Sequence, residues 1–147
     1  MKRITRSAIV EHSAAEMYSL VEDIEAYPLF LPWCRAARVL ERSAGRTVAA
    51  LAVGVKGGRY EFSTENANRP PGAIDMRLLE GPFRRFEAHW RFHALGPRAA
   101  RIEFVMAYEL AGGLVARALA PLLHSIADTM VDAFKRRADQ VHAKAAR

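Results

Sequence analysis

Histidine, cysteine and carboxylate positions decide first whether this 147-residue chain can do metal or covalent chemistry. His89 and His93 share one strand face, but four residues at about 3.3 Å each set them roughly 13 Å apart, too far to hold one metal ion. His124 and Asp128 stand at helical i and i+4 spacing and can touch, yet two side chains do not complete a metal site. Cys34 is the single cysteine, which excludes an internal disulfide and a multi-cysteine zinc site. It follows Trp33 in an apolar stretch, where a thiol packs as a small hydrophobe rather than serving as a nucleophile. Gly112-Gly113 opens a helix without the Lys and Ser or Thr that complete a phosphate-binding loop. No catalytic constellation emerges, and the expectation is a protein that is not an enzyme.

Aromatic residues point instead to the binding of something apolar. The stretch Tyr27-Pro28-Leu29-Phe30-Leu31-Pro32-Trp33-Cys34 joins three aromatics and two leucines to prolines four apart, which forbid a long regular helix. It reads as an apolar lip, either a helical turn plugging the end of a sheet or a lining for a pocket, and the two roles are compatible. Downstream, Phe86, Ala88, Trp90, Phe92 and Ala94 share one strand face, while Arg85, Glu87, His89, Arg91 and His93 share the other. Ile102, Phe104, Met106, Tyr108 and Leu110 alternate in the same way with Arg101, Glu103 and Glu109, and Tyr60 and Phe62 do so with Glu61 and Ser63. One face of the sheet is therefore dry and heavily aromatic. The alanines and glycines between Thr47 and Gly57 occupy little volume, so an interior open to an apolar ligand is expected, the alternative being a fully packed core.

The elements that must position these residues follow from periodicity. Arg3 to Val10 is a short strand. Ser13 stands three before Glu16, the spacing of a capping box, and starts a helix over Ala14 to Asp23 with an apolar stripe of Met17, Leu20, Val21 and Ile24. From Cys34 the period becomes two, broken by turns at Ala44-Gly45, Gly57-Gly58, Arg69-Pro70-Pro71-Gly72, Gly81-Pro82 and Gly96-Pro97, which delimit about six strands of an antiparallel meander. The last element is a helix over Gly113 to Lys144, roughly 45 Å long. Its Leu119, Leu122, Leu123, Ile126, Met130 and Phe134 fall on one face, and Asp128, Asp132, Lys135, Arg136 and Asp139 largely on the other. Pro121 cannot donate to the carbonyl four residues back, which predicts a bend or a fresh start near Ala120.

Composition bounds the rest. A chain that is 51% hydrophobic over 147 residues can bury the core of a single domain, 1–147. The start Met1-Lys2-Arg3-Ile4-Thr5-Arg6 lacks the apolar segment of a secretory signal, and no run approaches the roughly 18 apolar residues of a membrane span, so a cytoplasmic location is expected. A net charge of +6 favours RNA, anionic lipid head groups or acidic partners.

Four stretches together resemble the coenzyme Q-binding START-like family, within the polyketide cyclase/dehydrase and START superfamily. The Tyr27 to Cys34 string is similar to that family's signature, Leu79-Glu80-Gly81-Pro82-Phe83 to the turn before its penultimate strand, Trp90-Arg91-Phe92 to its aromatic strand, and Met130 to Ala138 to its final helix. The resemblance covers roughly Arg3 to Val141. It implies an α+β helix-grip fold (START/Bet v 1-like), a curved antiparallel sheet of about seven strands wrapped on a long C-terminal helix, in the order β-α-α-β6-α. It also implies a tunnel for ubiquinone or a related lipid, with no cofactor required and no chemistry done, in a bacterial member that supports respiration, with possible peripheral contact at the inner membrane. Phe62, Trp90, Phe92, Phe104 and Tyr108 would then surround the ring and tail, Tyr27, Phe30, Leu31 and Trp33 would guard one end, and Leu122, Ile126 and Met130 would close the tunnel from the helix. The same family includes ribosome-association toxins that block subunit joining, which implies contact with the large ribosomal subunit, with Lys135, Arg136 and Arg137 as candidate RNA or partner contacts whose affinity falls steeply with salt. An aromatase or cyclase reading follows from the wider superfamily alone, and no acid–base pair can be named for it.

Overall fold

Turn chemistry and alternation build one sheet from seven strands. The computed structural model describes residues 2–55 and 58–142. The chain runs β1 (Lys2–Val10), α1 (Ala14–Glu22), a 3₁₀ helix (Ile24–Leu29), then β2 (Cys34–Ser43), β3 (Arg46–Val55), β4 (Gly58–Arg69), β5 (Ala73–Glu80), β6 (Phe83–Gly96) and β7 (Ala99–Leu110), and ends in α2 (Gly113–His142). The sheet order is β1-β7-β6-β5-β4-β3-β2, so β2 to β7 form an uninterrupted meander and β1 joins its far side against β7. Every pairing is antiparallel. Ala44-Gly45 forms the two-residue turn between β2 and β3, where the φ of +73° at Gly45 is a left-handed conformation that a side chain would strain. Of the expected Gly57-Gly58 turn, Gly57 lies outside the described residues, as does Lys144 at the expected end of the last helix.

The capping box at the start of α1 is present: Glu16 N–H donates to Ser13 Oγ at 3.1 Å, and Ser13 N–H donates to Glu16 Oε1 at 3.0 Å. The backbone hydrogen bond from Ser13 is the leading cause that holds the Glu16 carboxyl below its ordinary pKa. The helix ends at Glu22, one residue before the expected Asp23, which becomes its C-cap.

At 30 residues α2 spans about 45 Å and lies across the sheet. Its buried stripe includes Leu119, Leu122, Leu123, Ile126, Val131 and Phe134, with Met130 half-buried at the edge, while Asp128, Asp132, Lys135, Arg136 and Asp139 are exposed. Length and mean hydropathy would let α2 cross a membrane, and here the apolar stripe is spent on the sheet. Pro121 does not break the helix. It is exposed, so water can take the carbonyl that its missing N–H leaves unpaired.

Candidate functional site

The inward faces of β3 to β7, the residues around the 3₁₀ helix and the middle of α2 enclose a cavity of about 60 Å³. Two aromatic groups bracket it. On one side the Trp90 ring lies 4.8 Å from Phe104 and 5.3 Å from Phe134 of α2, and Tyr27 meets Phe134 edge-on at 5.5 Å. On the other, Phe62, Phe83 and Phe86 cluster with centroids 5.0 to 5.8 Å apart. Gly81 keeps this second cluster tight, because a Cβ there would lie 2.6 Å from Phe62 Cβ.

Of the residues expected around a ligand, Tyr27, Trp33, Phe62, Trp90, Phe104, Ile126 and Met130 border the cavity. Phe30, Leu31, Phe92, Tyr108 and Leu122 do not. Phe92 shares the parity of Trp90 but stacks flat behind its ring at 5.8 Å and 6°, with Tyr18 of α1 edge-on at 5.8 Å. Phe30 packs against Tyr27 and Phe134 under the Arg137 guanidinium, 5.3 Å above its ring. Leu31, Tyr108 and Leu122 are buried in the surrounding core. Residues that border the cavity and were not singled out include Ala49, Leu51, Met76, Ala88, Met106 and Leu123, together with a polar pair, Thr64 and Asn66. That pair was legible in principle: Thr64 and Asn66 continue the inward parity of Tyr60 and Phe62 along β4, so two polar side chains had to face the core.

Two hydrogen bonds fix the lip. The Tyr27 hydroxyl donates to the Val21 carbonyl near the end of α1, and burial pushes its pKa well above the ordinary phenol range. Trp33 Nε1–H donates to Thr129 Oγ1 on α2 at 3.1 Å, tying the lip to the long helix. Cys34 is buried beside it, and burial raises its thiol pKa to about 11, so it stays protonated at neutral pH. Among the described residues Tyr27 is the one titratable side chain on the cavity wall.

Charge is arranged on the outer surface. Asp75 on β5 receives His89 Nδ1 at 2.6 Å and Arg91 Nη1 at 2.7 Å and also pairs with Arg69. Burial raises the Asp75 pKa, but these donors outweigh it and hold the carboxyl below its ordinary value. Glu65 on β4 is shared by Arg46 and Arg77 and is likewise lowered, first by the hydrogen bond from Arg46. His89 is bonded to Asp75 and His93 is exposed. Asp128 pairs with Arg6 at 2.6 Å rather than with His124. Lys135, Arg136 and Arg137 make no carboxylate pair among the described residues.

Comparison with known proteins places this architecture. A ribosome association toxin RatA of Pseudomonas aeruginosa is 41% identical over 95% of this chain and 96% of its own length, and that of Escherichia coli K12 is 38% identical over 97% and 90%. The mitochondrial coenzyme Q-binding protein COQ10 homolog B of Xenopus laevis is 26% identical over 97% of this chain and 61% of its own length. Among solved structures, the ZhuI aromatase/cyclase from Streptomyces sp. R1128 superposes with a TM-score of 0.81 at 19% identity over 95% of this chain and 94% of that one, which shows a shared helix-grip fold. The 18 kDa protein CC1736 from Caulobacter crescentus superposes with a TM-score of 0.75 at 30% identity over 97% and 99%. Residues 10–135 match the family described as polyketide cyclase / dehydrase and lipid transport, and with its seven-stranded sheet gripping one long helix the chain belongs to that family.

Proposed function

We propose that the chain is a cytoplasmic binding protein that takes up an apolar ligand of the quinone or isoprenoid-lipid class without changing it and without a required cofactor. The observation that carries this is the cavity itself: an aromatic and aliphatic enclosure between sheet and helix whose wall offers a neutral amide and hydroxyl rather than an acid–base pair. At about 60 Å³ it has room for about two waters, against roughly 300–1,000 Å³ for pockets that hold drug-sized ligands, so uptake requires the walls to move apart. Three of those walls are methionines, Met76, Met106 and Met130, whose unbranched side chains repack at low cost. The start of α2 is lightly held, since its buried residues begin only at Leu119, and Gly112 just before it and Gly113 at its first position have φ of +92° and +82°. Native mass spectrometry with organic extraction of the purified protein tests the proposal. A stoichiometric quinone or lipid supports it, and a protein that stays empty after incubation with decylubiquinone counts against it.

A second reading, association with the large ribosomal subunit, is favoured by the names of the relatives at 41% and 38% identity and by Lys135 and Arg136, exposed on α2 with no carboxylate partner among the described residues, beside the half-buried Arg137 over Phe30. Under it, Arg136→Glu with Arg137→Glu lowers co-sedimentation with that subunit, and wild-type co-sedimentation falls steeply with added salt. Salt-independent co-sedimentation, unchanged in the double variant, would sink it.

A further inference from the structure

We infer that Thr64 and Asn66 form the polar anchor of the cavity and select apolar ligands that carry a hydrogen-bond acceptor oxygen, such as a ring carbonyl. The inference rests on the ligand-binding reading above. Asn66 is 2% exposed and Thr64 6%, and both border a cavity otherwise lined by aliphatic and aromatic side chains. Polar groups in such a wall are disfavoured unless each finds a partner. Thr64 Oγ1 donates to Asn66 Oδ1 at 2.8 Å, which satisfies the amide oxygen and fixes the amide plane. No group among the described residues accepts from Asn66 Nδ2. Asn68, two residues along the same strand face, differs: its Nδ2 donates to Thr47 Oγ1 at 2.9 Å.

Register adds a direction. Asn66 lies between Met76 on β5 and Thr47 on β3, and Thr64 between Leu78 and Ala49; the Thr47 hydroxyl receives Asn68 Nδ2, while the flexible Met76 and the small Ala49 are the neighbours that border the cavity beside the amide. The inward face of β4 therefore changes from Phe62 to Thr64 and Asn66 along its length. An amphiphilic ligand would place its oxygen-bearing head at Asn66 and its hydrocarbon toward Phe62 and Phe86. The free amide N–H is a donor, so the matching group is an acceptor oxygen.

Equilibrium dialysis of the full chain with two probes, decylubiquinone and n-decylbenzene, tests this. The wild type should prefer the quinone, and Asn66→Leu should weaken quinone binding about fivefold while leaving n-decylbenzene within about twofold, the size of one neutral hydrogen bond lost. Thr64→Val, close to isosteric, releases the amide from its fixed plane and should weaken quinone binding in the same selective way, and it decides the matter if Asn66→Leu does not fold. Equal loss of both probes, or no loss of either, overturns the anchor while leaving the cavity reading standing. Failure of both probes to bind the wild type overturns the cavity reading and the anchor with it.

Discussion

Filling the cavity should make the protein more stable and less able to bind. Ala88 is 2% exposed on β6, borders the cavity, and lies between Met76 on β5 and Met106 on β7. At about 24 cal/mol per Å³ of unfilled space, a cavity of about 60 Å³ costs the empty protein about 1.4 kcal/mol. Ala88→Val adds two methyl groups, each worth about 0.8 kcal/mol on burial, and a β-branched side chain suits a strand. Crowding opposes this by about 1–3 kcal/mol in a rigid core, but both flanking residues are methionines that can shift. The balance is a gain of about 1 kcal/mol, which at an m-value of about 2 kcal/mol per M moves the urea midpoint up by about 0.5 M. Trp33 and Trp90 both touch the cavity, so their fluorescence reports the transition and the binding site together. Decylubiquinone uptake should fall at the same time. A loss of 1 kcal/mol or more in a variant with native circular dichroism would refute the argument, because it would mean the space is not available to a side chain. Increased stability with undiminished quinone uptake would put the ligand elsewhere.

Two further outcomes test the supports of the site. Trp33→Phe removes the donor to Thr129 but leaves no buried orphan, since Thr129 still donates to the Ser125 carbonyl at 2.8 Å; the cost should be about 1–2 kcal/mol in urea unfolding, and a cost near zero would show that the lip is not tied to α2 there. Asp75→Asn should cost about 1–2 kcal/mol near neutral pH, where the wild-type carboxylate holds His89 and Arg91. Because the folded pKa of Asp75 lies below its unfolded value, that advantage is complete above the unfolded pKa and is lost as pH falls through the folded one. The stability curves of wild type and variant should therefore converge in acid, and a difference that persists below both pKa values would refute the assignment.

The order of elements was readable because each boundary has a local cause. Ser13 and Glu16 announce α1, and Ala44-Gly45 turns β2 into β3 with a backbone angle that favours glycine. Strand parity put Trp90, Phe104 and Met106 inward without any tertiary information. Pro121 is crossed without a fresh start of the helix. Its effect on a helix depends on whether the freed carbonyl meets water or protein, and that follows from the helix's docking, not from the proline.

The site was harder to read, because parity says which face a side chain takes but not what lies in front of it. Phe92 and Trp90 have the same parity on the same strand, yet one lines the cavity and the other stacks behind it under α1. Leu122 and Leu123 are both buried on α2, and the cavity lies before Leu123 only. Space is set by absent atoms, and here by Ala49 and Ala88, which hydropathy scores simply as core. The residues of greatest chemical interest broke the apolar pattern. Thr64 and Asn66 interrupt an inward-facing row, and a polar residue at a position that parity assigns to the interior needs either a protein partner or a ligand. Asn68 has the first, and Asn66 is where the second is to be sought.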